Sequence, residues 1–246
     1  MTKIVILFSK IVAATLVALS LTSCNGNFNL GNSVKGSGNV ITEKRNASDF
    51  NKITVANGLD CEVVQEDNFE VTVEADDNLI NGIKTKVENN TLIIYSEYNN
   101  YINVTAKKIT VRLPKVLSLE TTSGASLKSI NVLNGEDIKI KSSSGSSIEA
   151  EVESDKVTLE STSGSEQQIS GKALKLYTAS SSGSNIDADE LLANEVYAQS
   201  SSGSSTSVNA IVLLDGKASS GSSISYSKSP KEIRVEESSG GSVSKD

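Results

Sequence analysis

Residues 141–150 read KSSSGSSIEA. By composition the middle of this stretch is a flexible linker, because Gly/Ser tracts carry too little apolar surface to offset the entropy of being ordered. The stretch recurs, however. A Ser-Gly pair places glycines at Gly124, Gly145, Gly164, Gly183, Gly203, Gly221 and Gly240, in steps of 21, 19, 19, 20, 18 and 19 residues. A linker has no reason to keep such a period. Seven residues before each glycine stand Leu117, Ile138, Val157, Leu176, Val196, Leu214 and Ile233, all aliphatic. Five before stand Leu119, Ile140, Leu159, Thr178, Ala198, Gly216 and Val235, and three after the chain is again mostly apolar, at Leu127, Ile148, Ile186, Ile224 and Val243, with Gln167 and Thr206 between them. Disorder would not require these ladders.

Side chains of a strand alternate between faces, so each repeat reads as strand, Ser-Gly corner, strand, with one apolar side. Ile148 and Ala150 are expected to point inward, and Lys141 and Glu149 outward. One unit cannot bury its own apolar side. Stacked units can, and a period near 20 without helical spacing is the mark of a β-solenoid. The expected fold is all-β: a parallel β-solenoid of ~19–20-residue coils, preceded by irregular longer strands, with about 4.8 Å per coil. Glycine supplies the φ values that corners need. The corner serines are read as small, inward residues that bond to the turn, and bulky residues are expected to collide with their own copies in the stack.

Upstream, NKITVANGLDCEVVQ (51–65) alternates Ile53, Val55, Leu59, Cys61 and Val63 across an Asn-Gly turn. FEVTVEA, TLIIYSE and KITVRLP continue the strand pattern up to Pro114, and NLINGIKTKV has room for one helical turn. The first 23 residues hold Lys3, Lys10, no acid and an apolar run from Ile11 to Leu21, the layout of an export signal. It ends in Leu21-Thr22-Ser23-Cys24, which reads as a lipobox with Cys24 as the lipidated residue. The domain reading is therefore a signal peptide at 1–23, a polar tether at 24–36, the solenoid domain at 37–228 with Ser-Gly corners from about 115, and a terminal coil at 229–246. With Cys24 acylated, Cys61 is a lone thiol, expected on a strand in the core.

A lipobox followed by GSGNVITEKRNASDFNKITVANGLDCEVVQ, VTVEADDNLINGIKTKVENNTLIIY and Ser-Gly coils resembles the head GIN domain family of autotransporter adhesins over roughly residues 36–228. The residues that carry the resemblance are Gly36, Gly38, Asn39, Phe50, Ile53, Val55, Gly58, Asp60, Val63 and Asn78, while Leu59 stands where the family often has Ile or Val. The resemblance implies a right-handed β-helix-like solenoid and an adhesin role, and it supplies no catalytic residues.

The 246 residues include no His and carry a formal charge of −7. The absence of His excludes Ser-His-Asp, Cys-His and His-ligated metal sites, and the acidic balance argues against nucleic acid. No cofactor or metal is expected. The densest acids, Asp76-Asp77 and Asp187, Asp189, Glu190, read as solvated turn residues; a polysaccharide-processing enzyme would need two of them facing across a cleft. Two surfaces are candidates for ligand. One is the hydroxyl ladder two residues before each glycine (Thr122, Ser143, Thr162, Ser181, Ser201, Ser219, Ser238), with the serines that follow each glycine. The other is Tyr95, Tyr98 and Tyr101 among asparagines, a composition suited to sugar stacking.

The functional expectation is a non-enzymatic, lipid-anchored envelope protein, in the outer membrane in preference to the inner, acting as a rigid scaffold or an adhesin for glycan or matrix. The alternatives are a carboxylate enzyme and a periplasmic interaction module pairing through its last sheet edge. Glu236, Glu237, Lys245 and Asp246 protect that edge, so a monomer is expected.

Overall fold

The structure is a computed structural model that describes residues 32–246; Cys24 and the rest of the leader lie outside the described residues. Asn32–Asp246 is one compact unit, and every regular element in it is a strand. They are β1 (Ser33–Lys35), β2 (Val40–Arg45), β3 (Lys52–Val55), β4 (Asp60–Gln65), β5 (Glu70–Asp76), β6 (Ile83–Glu88), β7 (Thr91–Ser96), β8 (Asn100–Ile102) and β9 (Lys107–Leu113). Then follow β10 (Ser118–Thr121), β11 (Ser126–Ser129), β12 (Leu133–Ser142), β13 (Ser147–Ser161), β14 (Glu166–Ser180), β15 (Asn185–Ser200), β16 (Ser205–Ser219), β17 (Ser223–Tyr226), β18 (Glu232–Ser238) and β19 (Ser242–Lys245). The segment with room for a helical turn forms one hydrogen-bonded turn, the Ile83 amide donating to the Leu79 carbonyl at 3.2 Å, and runs straight into β6 without becoming a helix.

The parallel stack follows the repeat. Ile53, Leu119, Ile140, Leu159, Thr178, Ala198, Gly216 and Val235 are paired in one continuous register before the corners. After the corners, Cys61, Leu127, Ile148, Gln167, Ile186, Thr206, Ile224 and Val243 do the same. Both ladders point inward, and Ile148 and Ala150 are buried.

The stack starts earlier than the Ser-Gly period suggests. β3 and β4 form a coil beneath β10 and β11, and their Asn57-Gly58 turn is the first corner. The Gly58 amide donates to the Ser123 carbonyl at 3.0 Å, as Gly124 does to Ser144 and Gly145 to Ser163 at 3.1 Å, and the pattern continues to Gly221 and Ser239. Below this coil, β7 pairs with β3 and β9 with β4, while antiparallel β5, β2 and β6 close that end of the stack. At the other end β18 lies exposed, with Ile233 and Val235 41% and 45% accessible where the same ladders are buried in the middle coils.

The corners themselves correct two expectations. Ser and Gly both take positive φ, for example 54° at Ser144 and 68° at Gly145, and the residues flanking the pair are joined by a backbone hydrogen bond (Ser146 amide to Ser143 carbonyl, 3.3 Å). That is the geometry of a type I′ turn. The seven repeat glycines have open space where a Cβ would stand, so backbone conformation and not crowding selects them. The serine before each glycine is also outward and exposed, not inward.

The inward hydroxyls belong to other positions: Thr121, Ser142, Ser161, Ser180 and Ser200 before the turn, and Ser146, Ser165, Ser184, Ser204 and Ser222 immediately after the glycine, all at most 4% accessible. At the corner, turn amides and carbonyls need partners that aliphatic side chains cannot give. Ser146 Oγ accepts from the Ser143 amide at 3.1 Å and donates to the Thr121 carbonyl at 2.9 Å. Ser180, Ser200 and Thr206 are mutually bonded at 2.8–2.9 Å. Each such bond contributes about 0.5–1.5 kcal/mol net.

An L-residue in the left-handed region costs about 1–2 kcal/mol, which asparagine partly avoids through its own side chain. Replacing Ser163 by asparagine, the residue type of the first corner, is therefore expected to raise stability by up to about 1 kcal/mol, read as a higher denaturation midpoint. A lower midpoint would show that the serine hydroxyl, not the turn, decides this position.

Candidate functional site: a groove along the stacked coils

Outward side chains of the sheet containing β10, β12–β16 and β18 stand in three columns. Six residues before each corner glycine are Ser118, Lys139, Thr158, Tyr177, Tyr197, Asp215 and Arg234; four before are Glu120, Lys141, Glu160, Ala179, Gln199, Lys217 and Glu236. The hydroxyl ladder is the third. Its members are bonded along the stack, Ser143 Oγ donating to Thr122 Oγ1 at 3.0 Å and Thr162 Oγ1 lying 3.1 Å from Ser181 Oγ. Short residues in the hydroxyl column beside long ones in the next leave a groove of about 1140 Å³. It runs from Glu120 to Ser238 and contains Ser143, Thr162, Ser181 and Ser201.

Charge on Lys141, Glu160, Lys217 and Glu236 is paired locally. Lys141 lies 3.0 Å from Glu160, and Lys217 2.8 Å from Glu236. Partial burial works against ionisation of Glu160, but hydrogen bonds and charge from Lys139 and Lys141 outweigh it and hold the carboxyl below its ordinary range. The bond to Glu160 raises Lys141 correspondingly. Between these pairs, Ala179 and Gln199 leave an uncharged section.

The predicted site residues separate. The serines immediately after the glycines are buried and belong to the corner interior, so only the ladder two residues before the glycines lies along the groove. Tyr98 packs over Gly82, where a Cβ would meet its ring. Tyr101 donates its hydroxyl to the Asn57 carbonyl at 2.9 Å, and its ring lies against Gly58. Tyr101 thus clamps the first corner and Tyr98 covers the turn before β6, while Tyr95 is half-buried on β7 with Lys86 Nζ 6.0 Å from its ring centre.

A different aromatic pair faces outward beside the groove. Tyr177 and Tyr197 stack with ring centres 4.9 Å apart and planes 10° from parallel. The signal was present in the sequence, since both occupy the sixth position before a corner glycine in successive coils.

The acids do not gather. Asp76 is covered and accepts hydrogen bonds from the Gly38, Thr105 and Ala106 amides. Asp187 accepts from the Asp189 amide within β15, at another level of the stack. Among the described residues no group of three or more His, Cys, Asp or Glu is placed to hold a metal. Burial first, then the charges of Glu62 and Asp60, push the Cys61 thiol far up, so it is not a ready nucleophile.

A solved structure described as a "putative adhesin" from Bacteroides fragilis NCTC 9343 is similar, with 22% identity and a TM-score of 0.81 over 87% of this chain and 100% of that one. A "putative lipid binding protein" from Parabacteroides distasonis ATCC 8503 has 21% identity and a TM-score of 0.69, covering 87% and 99%. A "putative adhesin" from Parabacteroides merdae ATCC 43184 has 16% identity and a TM-score of 0.70, covering 88% and 100%. No curated protein matches the chain. At these identities the neighbours establish the stacked-coil fold, and residues 49–230 match a family model. The chain belongs to the family described as "Putative auto-transporter adhesin, head GIN domain".

Proposed function

We propose that the chain is a non-enzymatic cell-envelope adhesin, anchored through lipid on Cys24, with the groove along the coils as its contact surface. The observation that carries this reading is the continuous row of hydroxyls beside locally paired ions on a rigid sheet face, a surface built for repeated weak contacts. The family description and the adhesin neighbours support the same role. A chain without His, whose densest acidic pair includes a carboxylate engaged by three backbone amides, favours binding over catalysis.

The anchor rests on the Leu21-Thr22-Ser23-Cys24 sequence; among the described residues no helix is long and apolar enough to cross a membrane. Cys24→Ala is expected to move the protein from the washed membrane fraction to the soluble fraction. Unchanged membrane retention would reject the lipid anchor. Protease added to intact cells tests the adhesive role: digestion places the groove where it can meet a surface, and full protection would end that reading.

A further inference from the structure

We infer that the middle of the groove, over the coils of Gly183 and Gly203, binds a neutral linear oligosaccharide, with the stacked Tyr177 and Tyr197, two residues along their strands from Ala179 and Gln199, as a flanking aromatic contact beside the groove. This rests on the adhesive reading of the groove and names its ligand class.

Four observations select that class. First, the section is uncharged: Ala179 and Gln199 are exposed, and Ser181 and Ser201 present hydroxyls beside them. On either side Lys141–Glu160 and Lys217–Glu236 satisfy each other. A polyanion would have to compete with existing carboxylates for those lysines.

Second, the tyrosine pair is fixed in advance. The Tyr197 hydroxyl donates to Glu195 at 3.0 Å, and Glu195 is also held by Lys175 at 3.3 Å. The two rings stack on each other across adjacent coils, with Thr158 next in register to Tyr177 and Asp215 next to Tyr197. Pre-ordered aromatic surface beside hydroxyl and amide groups is suited to a ligand whose rings carry apolar C–H faces and polar rims.

Third, the polar groups repeat with the coils, about 4.8 Å apart, so the surface matches a polymer of repeated hydroxyl-bearing units. Fourth, an extended peptide has no edge to join here. β14 and β15 are paired along both sides, which leaves no row of free amides and carbonyls for strand addition.

The experiment uses residues 32–246, the compact unit. Immobilised cellohexaose, laminarihexaose and chitohexaose are the neutral probes, and heparin is the polyanion control. At least one neutral hexasaccharide is expected to bind, with Tyr177→Ala/Tyr197→Ala weakening it at least tenfold. Ala179→Arg, an exposed substitution that fills the section and charges it, gives the same loss even where the tyrosine variant folds poorly. Binding of heparin alone overturns the ligand class. Binding to no glycan overturns the inference; if the fragment then still coats cells or matrix, and Ala179→Arg abolishes this, the adhesive groove survives without it. Loss of both glycan binding and adherence rejects the inference and the adhesive reading together.

Discussion

Gly171→Ala is expected to unfold the stack or to destabilise it by about 4 kcal/mol or more, at the far end of the range for single substitutions, while Gly145→Ala costs only about 1–2 kcal/mol. Both glycines have positive φ, 114° and 68°. They differ in what a methyl group would meet. At Gly145 it points into open space, so the only cost is an L-residue in the left-handed region. At Gly171 it would run into the Val152 carbonyl, in the coil against which Gly171 is paired, and would also stand 3.0 Å from the Val152 carbonyl carbon and amide nitrogen. Backbone cannot swing aside as a flexible side chain can. The register of β14 against β15 also shifts between Gln168 and Gly171, so the glycine sits where the strand departs from regular pairing. Denaturant unfolding of the two variants measures the contrast. Equal midpoints would mean that the close approach at Val152 does not constrain the fold.

That contrast shows where the sequence is informative. Alternation plus a fixed corner is enough to assign Ile148 inward and Lys141 outward, because a one-residue slip would turn the whole ladder to solvent. It does not reveal Gly171, which stands outside the period and whose neighbour is 19 residues away in the chain. Nor does it reveal that Asn57-Gly58 is a corner. The insertion of β5 through β9 separates Gly58 from Gly124 by 66 residues, and alternation does not distinguish the antiparallel strands in that insertion from parallel ones.

Serine is a second limit. Its composition suggests surface, yet Ser146 and Ser165 are buried because the turn amides need their oxygens. The site was legible in part. The ladder of Ser143, Thr162, Ser181 and Ser201 lies along the groove. The stacked tyrosines required reading the sixth position before each corner, which faces away from the aliphatic ladders that define the repeat.

Asp76→Ala is expected to cost about 2–3 kcal/mol, the range for losing hydrogen bonds to an ionised group, and to remove an acid-sensitive part of the stability. The carboxylate ties two other segments to its own: the Gly38 amide at 2.9 Å in one, and the adjacent Thr105 and Ala106 amides at 3.0 Å and 2.9 Å in the other. Beside it, Asn78 accepts from the Ser37 amide at 3.2 Å and donates to the Lys35 carbonyl at 2.8 Å, so Gly36-Ser37-Gly38 is held by the Asp76–Asn78 turn. Asp76 is wholly covered, but by a thin layer near the surface, which keeps the expected cost below that of a deeply buried ion. The Gly38 amide foremost, and then those of Ala106 and Thr105, hold its carboxyl below the ordinary aspartate range despite burial and the neighbouring Asp77 charge. An unfolded aspartate titrates near pH 3.9. The contribution of Asp76 is therefore complete above that pH and falls away as acid carries the solution down through the lower folded value. Asp76→Asn fills the same space but turns an amide N–H toward backbone donors, so it should lose stability at neutral pH and lose less on acidification. Wild type and Asp76→Asn should accordingly converge as the pH falls below about 4, measured as denaturation midpoints. Parallel pH profiles with a constant offset would assign the acid sensitivity to other carboxylates and leave Asp76 a packing residue.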